Sequence, residues 1–305
     1  MKKLFLTLIL SLCLITALFS SPLDWMKDIN GSKKLSTISI PGTHDSATQY
    51  VSLSYIFRCQ DTSIREQLDN GYRYLDMRLV LKGDDIILKH NFAACKETSS
   101  LFSKALTLDD VLIDVYAFLV QNPTETVIMC MKAENGKDDL STLRVLLDKR
   151  IEAQKEKWYL ENVIPTLDEV RGKIVLATRI KGDDRGLNFR WIEQGDRTVL
   201  EVPHAKSSIN ETSSLYVQDR YNFDTIDKIN AIKYSLENCL ASDDTFYLNF
   251  TSTSGSGKVG HPKKYSDSIN KYMLTYPLKA RTSYGIIIVD FATRDLAKKI
   301  YNTNF

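Results

Sequence analysis

Two of the chain's four histidines, His44 and His90, lie at the ends of predicted strands, after ISIPGT and within DIILKHN. A neutral imidazole can take a proton from an attacking hydroxyl group, and a protonated imidazole can give one to a leaving oxygen. A carboxylate beside the first ring would fix its tautomer. Two imidazoles with carboxylates and fixed cations suit the cleavage of a phosphate ester. His204 and His261 lie in loop-like sequence near prolines, so we interpret them as structural residues.

Titratable side chains end other predicted strands in the same way, which gives seven such strand ends. The further residues are Asp45, Asp76 and Arg78, Lys132 and Glu134, Arg179, Asp219 and Tyr221, and Asp290. Arginine and lysine can neutralise charge on phosphoryl oxygens. Any one of these residues alone would more often be a structural group, an ion pair or a solvated charge. Polar groups gathered at buried strand ends are costly unless they are paired, so the whole set predicts a functional cleft.

The segments that must position these residues alternate between strand-like and helix-like patterns. Strands are predicted at 35–40, 72–81, 85–91, 126–132, 173–179, 214–221, 246–252 and 284–291. Helices are predicted at 107–121, at 140–151, near 225–238 and near 264–275. Repeated strand–helix units imply parallel strands, so we predict an α/β fold with a single-domain (β/α) barrel of the TIM type. An open doubly wound sheet is the alternative, and a barrel would gather the strand ends into one cleft.

The composition of the 305 residues is typical of a globular protein, with 43% hydrophobic and 26% charged residues. This balance excludes a disordered or fibrous chain. Basic residues number 40 and acidic residues 38, so the molecule has no global basic field for nucleic acid. We therefore expect no nucleic-acid partner.

The first twenty residues have the three-part pattern of a secretory signal. Lys2 and Lys3 precede the apolar residues 4–19, and the small residues Ser20 and Ser21 follow. A membrane anchor is the alternative, but 16 residues are short for a span of about 20. We expect cleavage somewhere in 17–21, secretion of the chain, and a mature domain over 21–305.

Removal of this signal leaves four cysteines, Cys59, Cys95, Cys130 and Cys239. An even number in an exported chain permits disulfides, and Cys59 and Cys95 could pair because both flank loop-like sequence. Cys130 lies within VIMCM, which favours a core position. There is no C-x-x-C spacing, so a zinc site has little support.

The segment ISIPGTHDSAT at 38–48, with LDMRLV and ILKHN about thirty residues later, resembles the phosphatidylinositol-specific phospholipase C X-domain family. The similarity runs from about Trp25 to the end, through NPTETVIMCMK, RGKIVLATR, VQDRY, LNFTSTSGSG and IIIVDF. The layout is most similar to that of the secreted, single-domain bacterial members. GTHDS with the spaced arginine and second histidine is the specific part of this signal. The resemblance implies a distorted, partly open barrel.

The resemblance also implies cleavage of phosphatidylinositol, or of its glycosylated anchor form, to diacylglycerol and inositol 1,2-cyclic phosphate. His44 matches the general base that deprotonates the inositol 2-hydroxyl, and His90 matches the general acid. Asp290 matches the carboxylate that orients the base, and Asp45 the one that supports the acid. The phosphate-stabilising cation corresponds to Arg78. The residues that match inositol-binding positions are Lys132, Arg179, Asp219 and Tyr221.

Arg78 bears on the question of a metal. Calcium-dependent relatives carry a carboxylate at that position and hold the ion with several acids. A guanidinium there supplies positive charge itself and would repel calcium. We therefore predict catalysis without metal or other cofactor.

Two other functions remain open. A glycerophosphodiester or sphingomyelin-type phosphodiesterase would need a divalent ion, which Arg78 disfavours. A catalytically inactive lipid- or inositol-binding module would not need His44, His90 and Asp290 together. We expect a monomer that contacts the membrane surface transiently, and Lys258, Lys263 and Lys264 on the loop 258–265 could attract anionic headgroups. An ordinary solvated loop is the alternative there.

Overall fold

The computed structural model describes residues 21–257 and 260–305. The predicted signal at residues 1–20 and the loop residue Lys258 lie outside the described residues. No helix within the described ranges is long and apolar enough to cross a bilayer.

Twelve strands form one mostly parallel sheet within the described residues. Their bounds are β1 Ile40–Thr43, β2 Tyr74–Lys82, β3 Asp85–His90, β4 Ala93–Ala94, β5 Val127–Ala133, β6 Trp158–Tyr159, β7 Ile174–Thr178, β8 Leu187–Asn188, β9 Ala205–Ser208, β10 Ser214–Gln218, β11 Thr245–Phe250 and β12 Ile286–Val289. The main path runs β6-β7-β5-β2-β1-β12-β11-β10-β9, and its two ends are not joined by a ladder within the described residues. The predicted distorted (β/α) barrel is confirmed, and among the described residues it is open between its end strands β6 and β9.

Eight α-helices accompany the strands in the described part of the chain. They are α1 Ser54–Phe57, α2 Ile64–Asp69, α3 Leu108–Gln121, α4 Leu140–Glu152, α5 Leu167–Val170, α6 Thr225–Glu237, α7 Pro262–Thr275 and α8 Arg294–Tyr301. A capping box is present at the start of α3, where Thr107 and Asp110 satisfy each other's backbone N–H groups. The four predicted helices correspond to α3, α4, α6 and α7.

Strand β5 shows why the sequences of the parallel strands are continuous apolar runs. Ile128 and Cys130 belong to one buried cluster, whereas Val127, Met129 and Met131 belong to a second cluster that includes residues of α3 and α4. Side chains alternate across a strand, so each face of β5 is covered by apolar groups.

One predicted strand is wrong. Residues 35–40 were expected to form it, but Leu35–Thr37 is a 3-10 turn and the ladder begins only at Ile40, which pairs with Ile286. The Ser39 backbone N–H donates to the Asn304 side chain, and its hydroxyl donates to the Thr282 carbonyl. These side-chain partners replace strand pairing at this position.

Candidate active site

The register of β1 on β12 brings His44 and Asp290 together. Thr43 is paired with Val289 in this parallel ladder, so the next residue on each strand leaves the sheet at the same level. The His44 backbone N–H donates to the Val289 carbonyl over 3.0 Å. In the side chains, His44 Nδ1 lies 2.8 Å from Asp290 Oδ1. The carboxylate therefore favours a proton on Nδ1 and leaves Nε2 facing the cleft.

Asp45 follows directly and lies between the two predicted catalytic rings. Its φ of 43° falls in the left-handed region, which aspartate tolerates better than most residues. Asp45 Oδ2 lies 3.2 Å from His44 Nε2 and 3.4 Å from His90 Nε2. One buried carboxylate thus contacts both imidazoles.

His90 ends β3 on the opposite side of this carboxylate. Its Nδ1 lies 2.8 Å from the Phe57 carbonyl oxygen, which can only accept, so Nδ1 carries a proton. The His44 and His90 ring centroids are 6.2 Å apart, and the rings are nearly perpendicular. Two nitrogens, one suited to accept a proton and one suited to donate it, therefore face the same gap.

Arg78 places a guanidinium beside this gap. Its NH2 lies 2.8 Å from Asp76 Oδ2, its NH1 lies 3.2 Å from Glu134 Oε2, and its Nε lies 3.5 Å from Asp45 Oδ1. Burial alone would raise the pKa of Asp76, but the charge of Arg78 outweighs burial and holds that pKa well below its usual range. The same competition, with Lys132 assisting, lowers the pKa of Glu134 to about 2. Both carboxylates are ionised at neutral pH and hold the guanidinium in place.

His44 has a strongly shifted pKa. Burial alone would lower it, but the charges of Asp290 and Asp45 outweigh burial and raise the pKa of His44 to about 9. The resting ring is therefore mostly protonated at neutral pH, and once deprotonated it is a stronger base than free histidine.

Arg179 and Asp219 line another part of the same cavity. The Arg179 guanidinium carbon lies 3.5 Å from the Trp191 ring centroid, and its NH2 lies 3.3 Å from Glu193 Oε1. Trp191 Nε1 donates to Asp219 Oδ2 over 3.4 Å. Burial raises the pKa of Asp219 although Lys228 and Arg179 oppose that shift. This part of the cavity combines cations, acceptors and aromatic faces, a mixture that fits a polyhydroxylated ring.

All nine sequence-predicted site residues line one cavity of about 370 Å³. They are His44, Asp45, Arg78, His90, Lys132, Arg179, Asp219, Tyr221 and Asp290. His204 lies among tyrosines, with Nδ1 2.9 Å from the Tyr247 hydroxyl, in agreement with a structural role. His261 is absent from the lining of this cavity.

Three residues around the cavity were missed as site residues by sequence reasoning. Gln60 is fully buried, and its side-chain amide donates to the carbonyls of His44 and Val289. Glu193 lines the cavity beside Arg179. Cys59 also lines it, with Sγ 3.7 Å from His90 Nδ1. Gln60 and Glu193 lie in irregular sequence, where no periodicity or strand end marks them.

The cysteines of the described residues are all free thiols. The expected possibility of a Cys59–Cys95 disulfide is therefore not realised in the structure. Burial raises the pKa of Cys59 well above that of an ordinary thiol, so this group is protonated at neutral pH. One set of groups within the described ranges could hold a metal ion, namely His44, Asp45 and Cys59, whose ligand atoms lie within 4.8 Å of one another.

Known proteins are similar to this chain in sequence and in fold. The family model for the phosphatidylinositol-specific phospholipase C X domain matches residues 34–180. A 1-phosphatidylinositol phosphodiesterase of Staphylococcus aureus (strain NCTC 8325 / PS 47) is 28% identical over 96% of this chain and 94% of that protein. Residues 34–180 are an X domain of the phosphatidylinositol-specific phospholipase C family.

Other family members support this assignment over the full length. The 1-phosphatidylinositol phosphodiesterase of Listeria monocytogenes is 26% identical over 98% of this chain and 96% of that protein. A solved S. aureus phosphatidylinositol-specific phospholipase C, studied for its membrane binding, has a TM-score of 0.78 and 25% identity. That comparison covers 93% of this chain and 98% of the solved chain. The phospholipase C from L. monocytogenes, at 24% identity and a TM-score of 0.73, shares the fold.

Proposed function

We propose that this chain is a phospholipase C that cleaves phosphatidylinositol, or its glycosylated anchor form, into diacylglycerol and inositol 1,2-cyclic phosphate. The observation that carries the proposal is the opposed pair of imidazoles, His44 and His90, with Arg78 beside them in one cavity. The names of the bacterial relatives support the substrate class.

The first proton transfer belongs to His44. Its Nδ1–H is held by Asp290 Oδ1, so the deprotonated ring offers Nε2 to the inositol 2-hydroxyl. Nε2 takes the hydroxyl proton while the oxygen attacks phosphorus and forms the new P–O bond. The raised pKa of His44 increases the driving force for this transfer and reduces the fraction of ring ready to act at neutral pH.

The second proton transfer belongs to His90. The P–O bond to diacylglycerol breaks, and His90 Nε2–H gives its proton to the departing oxygen. Asp45 Oδ2, 3.4 Å from that nitrogen, stabilises the protonated ring before transfer. The Phe57 carbonyl fixes the ring from its other nitrogen.

Arg78 supports both steps through charge. Negative charge grows on the phosphoryl oxygens as the new bond forms, and a fixed guanidinium stabilises it without reorganising. Asp76 and Glu134 hold this side chain in a part-buried position. We further propose that this cation makes a divalent metal unnecessary for cleavage.

The inositol ring is proposed to occupy the same cavity, beside His44 and Arg78. Lys132, Arg179 and Asp219 can hydrogen-bond to ring hydroxyls, and Tyr221 can stack on the ring's apolar face. Specificity would follow because a site built to pair hydroxyl groups rejects headgroups that lack them.

Membrane contact is proposed for the rim beside the cavity mouth. The exposed aromatic residues Tyr55 and Phe92 and the exposed Lys263 and Lys264 lie on the segments around it. Each basic residue near an anionic surface contributes about 1 kcal/mol.

We also propose that the chain is secreted as a monomer after removal of residues 1–20. Amino-terminal sequencing of the exported protein should find a new start after one of positions 17–21. An exported chain that retains Met1 would contradict cleavage.

A histidine comparison tests the proposed activity. Wild-type enzyme should release diacylglycerol from phosphatidylinositol vesicles, and His44→Ala should lower the rate by at least about 10²–10⁴ because general acid–base catalysis contributes that much. The matched control is His204→Ala, which removes a histidine outside the cavity and should leave the rate within about twofold. Equal rates for His44→Ala and wild type would contradict the proposal, as would an inactive wild-type protein that still binds the vesicles.

A further inference from the structure

We propose that the catalytic cavity also binds one soft divalent cation, of the Zn²⁺ class, through His44, Asp45 and Cys59, and that this ion inhibits cleavage. The binding site stands on its own geometry, whereas the inhibition rests on the proposed function.

The three ligand atoms have the chemistry and spacing of a zinc site. Zinc prefers imidazole nitrogen, thiolate sulfur and carboxylate oxygen, at about 2.0–2.3 Å and in a tetrahedral arrangement. Bonds of that length place two tetrahedral ligand atoms about 3.3–3.6 Å apart. His44 Nε2 and Asp45 Oδ2 are 3.2 Å apart, and the ligand atoms of all three residues lie within 4.8 Å of one another. Binding would draw these ligand atoms together, from within 4.8 Å to about 3.3–3.6 Å.

The histidine is already oriented as a metal ligand. Metal-binding imidazoles usually donate their other N–H to a carboxylate, which fixes the tautomer and increases the basicity of the ligating nitrogen. Asp290 accepts from His44 Nδ1 in this way over 2.8 Å. Once Nε2 has lost its proton, its lone pair is thereby directed into the cavity, where an ion would be.

Asp45 supplies a second, independent observation. The residue is 1% exposed, yet neither carboxylate oxygen has a well-directed hydrogen bond among the described residues. Ion pairs at 3.2–3.5 Å therefore compensate this buried charge without direct hydrogen bonds, and a cation bound at closer range would stabilise it further. Its Oδ2 contacts the ring nitrogens only at ion-pair distances.

The charges around the site permit a cation at one side of Asp45. Arg78 approaches Oδ1, and its own charge is shared with Asp76 and Glu134. The proposed ion would lie on the Oδ2 side, with Asp290 behind His44. Calcium would find too few oxygens here, since it takes six to eight oxygen ligands. The site therefore discriminates by ligand softness, which agrees with a catalytic step that needs no calcium.

Occupancy of this site would block the reaction directly. The ion would take the Nε2 lone pair that the inositol 2-hydroxyl needs, and it would draw Asp45 away from His90. On binding, the Cys59 thiol and the protonated His44 ring would each release one proton to the buffer, because only the thiolate and the neutral imidazole coordinate a metal. Cys59 lines the open cavity, so the ion can reach it.

A cadmium titration without lipid tests the site itself. Cd²⁺ is the probe because a cadmium–thiolate bond gives an ultraviolet charge-transfer absorption. Wild-type protein should develop this band at one equivalent, and Cys59→Ser should not. The matched control is Cys239→Ser, which removes a partly buried thiol outside the cavity and should keep the band. A band that persists in Cys59→Ser, or that disappears in Cys239→Ser, would overturn the proposal.

A second variant keeps the test decisive if Cys59→Ser does not fold, as judged by circular dichroism. His44→Ala should retain the band but weaken Cd²⁺ binding at least about tenfold, because even an outer-shell partner typically contributes 10–100-fold to affinity. Unchanged affinity would contradict the proposed ligand set.

Measurements of lipid cleavage in the presence of zinc distinguish a failure of the proposed metal site from a failure of the proposed function. Zn²⁺ should inhibit lipid cleavage by wild type, EDTA should restore it, and the inhibition constant of Cys59→Ser, measured against its own zinc-free rate, should rise at least about tenfold. Equal inhibition of both proteins would overturn the inhibitory site. An inactive wild type that still shows the Cys59-dependent cadmium band would refute the phospholipase and leave the metal site standing.

Discussion

At the scale of single residues, the proposed proton transfers depend on which nitrogen of each imidazole is held by a hydrogen bond. Asp290 holds one nitrogen of His44, and the Phe57 carbonyl holds one of His90. The sequence identified both rings because each ends a strand, and the family motif gave each a role. It could not identify Gln60 or Cys59 as neighbours of these rings, because their proximity arises only from how the segment after α1 crosses the barrel end.

The charge on His44 gives a prediction about pH. An NMR titration of the ring should find a midpoint near 9 in wild type, and Asp290→Asn should lower it by about 1–3 units by removing an opposite charge. Because the folded pKa lies above the unfolded value near 6.5, the linked stabilisation is complete below pH 6.5 and is lost as pH rises through 9.

The control for this titration is His204, whose pKa burial lowers and whose resonance should not respond to Asp290→Asn. A wild-type His44 midpoint at or below 6.5, or a midpoint unchanged in the variant, would contradict the charge arrangement described here.

At the scale of elements, the site depends on the register of neighbouring strands and on the hydrogen bonds that hold the strand ends in place. Apolar runs predicted the long strands, and apolar residues at helical spacing predicted the helices α3, α4, α6 and α7. The very short elements β4 and β8, of two residues each, and α5, of four, were missed because so short a segment shows no period. The zinc-type ligand set was missed for a related reason. Its members come from adjacent positions after β1 and from the loop after α1, rather than from one spaced motif.

Gln60 provides a test at this scale. Its amide donates to the carbonyls of His44 and Val289 over 2.8 and 2.9 Å, and its oxygen accepts from the Ala292 N–H over 3.1 Å. Gln60→Ala should lower the free energy of unfolding by about 2–4 kcal/mol, since three buried backbone groups lose a partner. It should also lower kcat at least about tenfold with little change in KM, because small displacements of catalytic groups are costly.

The measurements are urea denaturation and steady-state kinetics. Gln49→Ala is the matched control, because that glutamine is part exposed and its amide bonds only to the Asp61 carbonyl. A Gln60→Ala protein with wild-type kcat would show that the hydrogen bonds of Gln60 do not position His44.

At the scale of the whole molecule, a buried ion pair stabilises the end of the barrel opposite the catalytic cavity. Arg73 precedes β2, away from the carboxyl ends of the strands, and is fully buried. Its Nε donates to Glu125 Oε2 over 2.8 Å, and its NH2 donates to the carbonyls of Pro22 and Leu23. This pair therefore fastens the first described residues to the barrel.

Arg73→Met should destabilise the protein by about 3–5 kcal/mol, because it leaves the Glu125 carboxylate buried without its partner. The urea midpoint should fall while kcat of the folded protein stays within about twofold of wild type. The double variant Arg73→Met/Glu125→Leu should recover part of the loss, since no unpaired charge remains. A single variant as stable as wild type would contradict the role of this pair.

Phosphorus NMR of the products formed from phosphatidylinositol in EDTA tests the central claim most directly. Two imidazoles and a guanidinium that act without a metal should give inositol 1,2-cyclic phosphate as the first product, at a rate that EDTA does not lower. A product that is linear inositol phosphate from the outset, or an activity that EDTA abolishes and Ca²⁺ restores, would contradict the account.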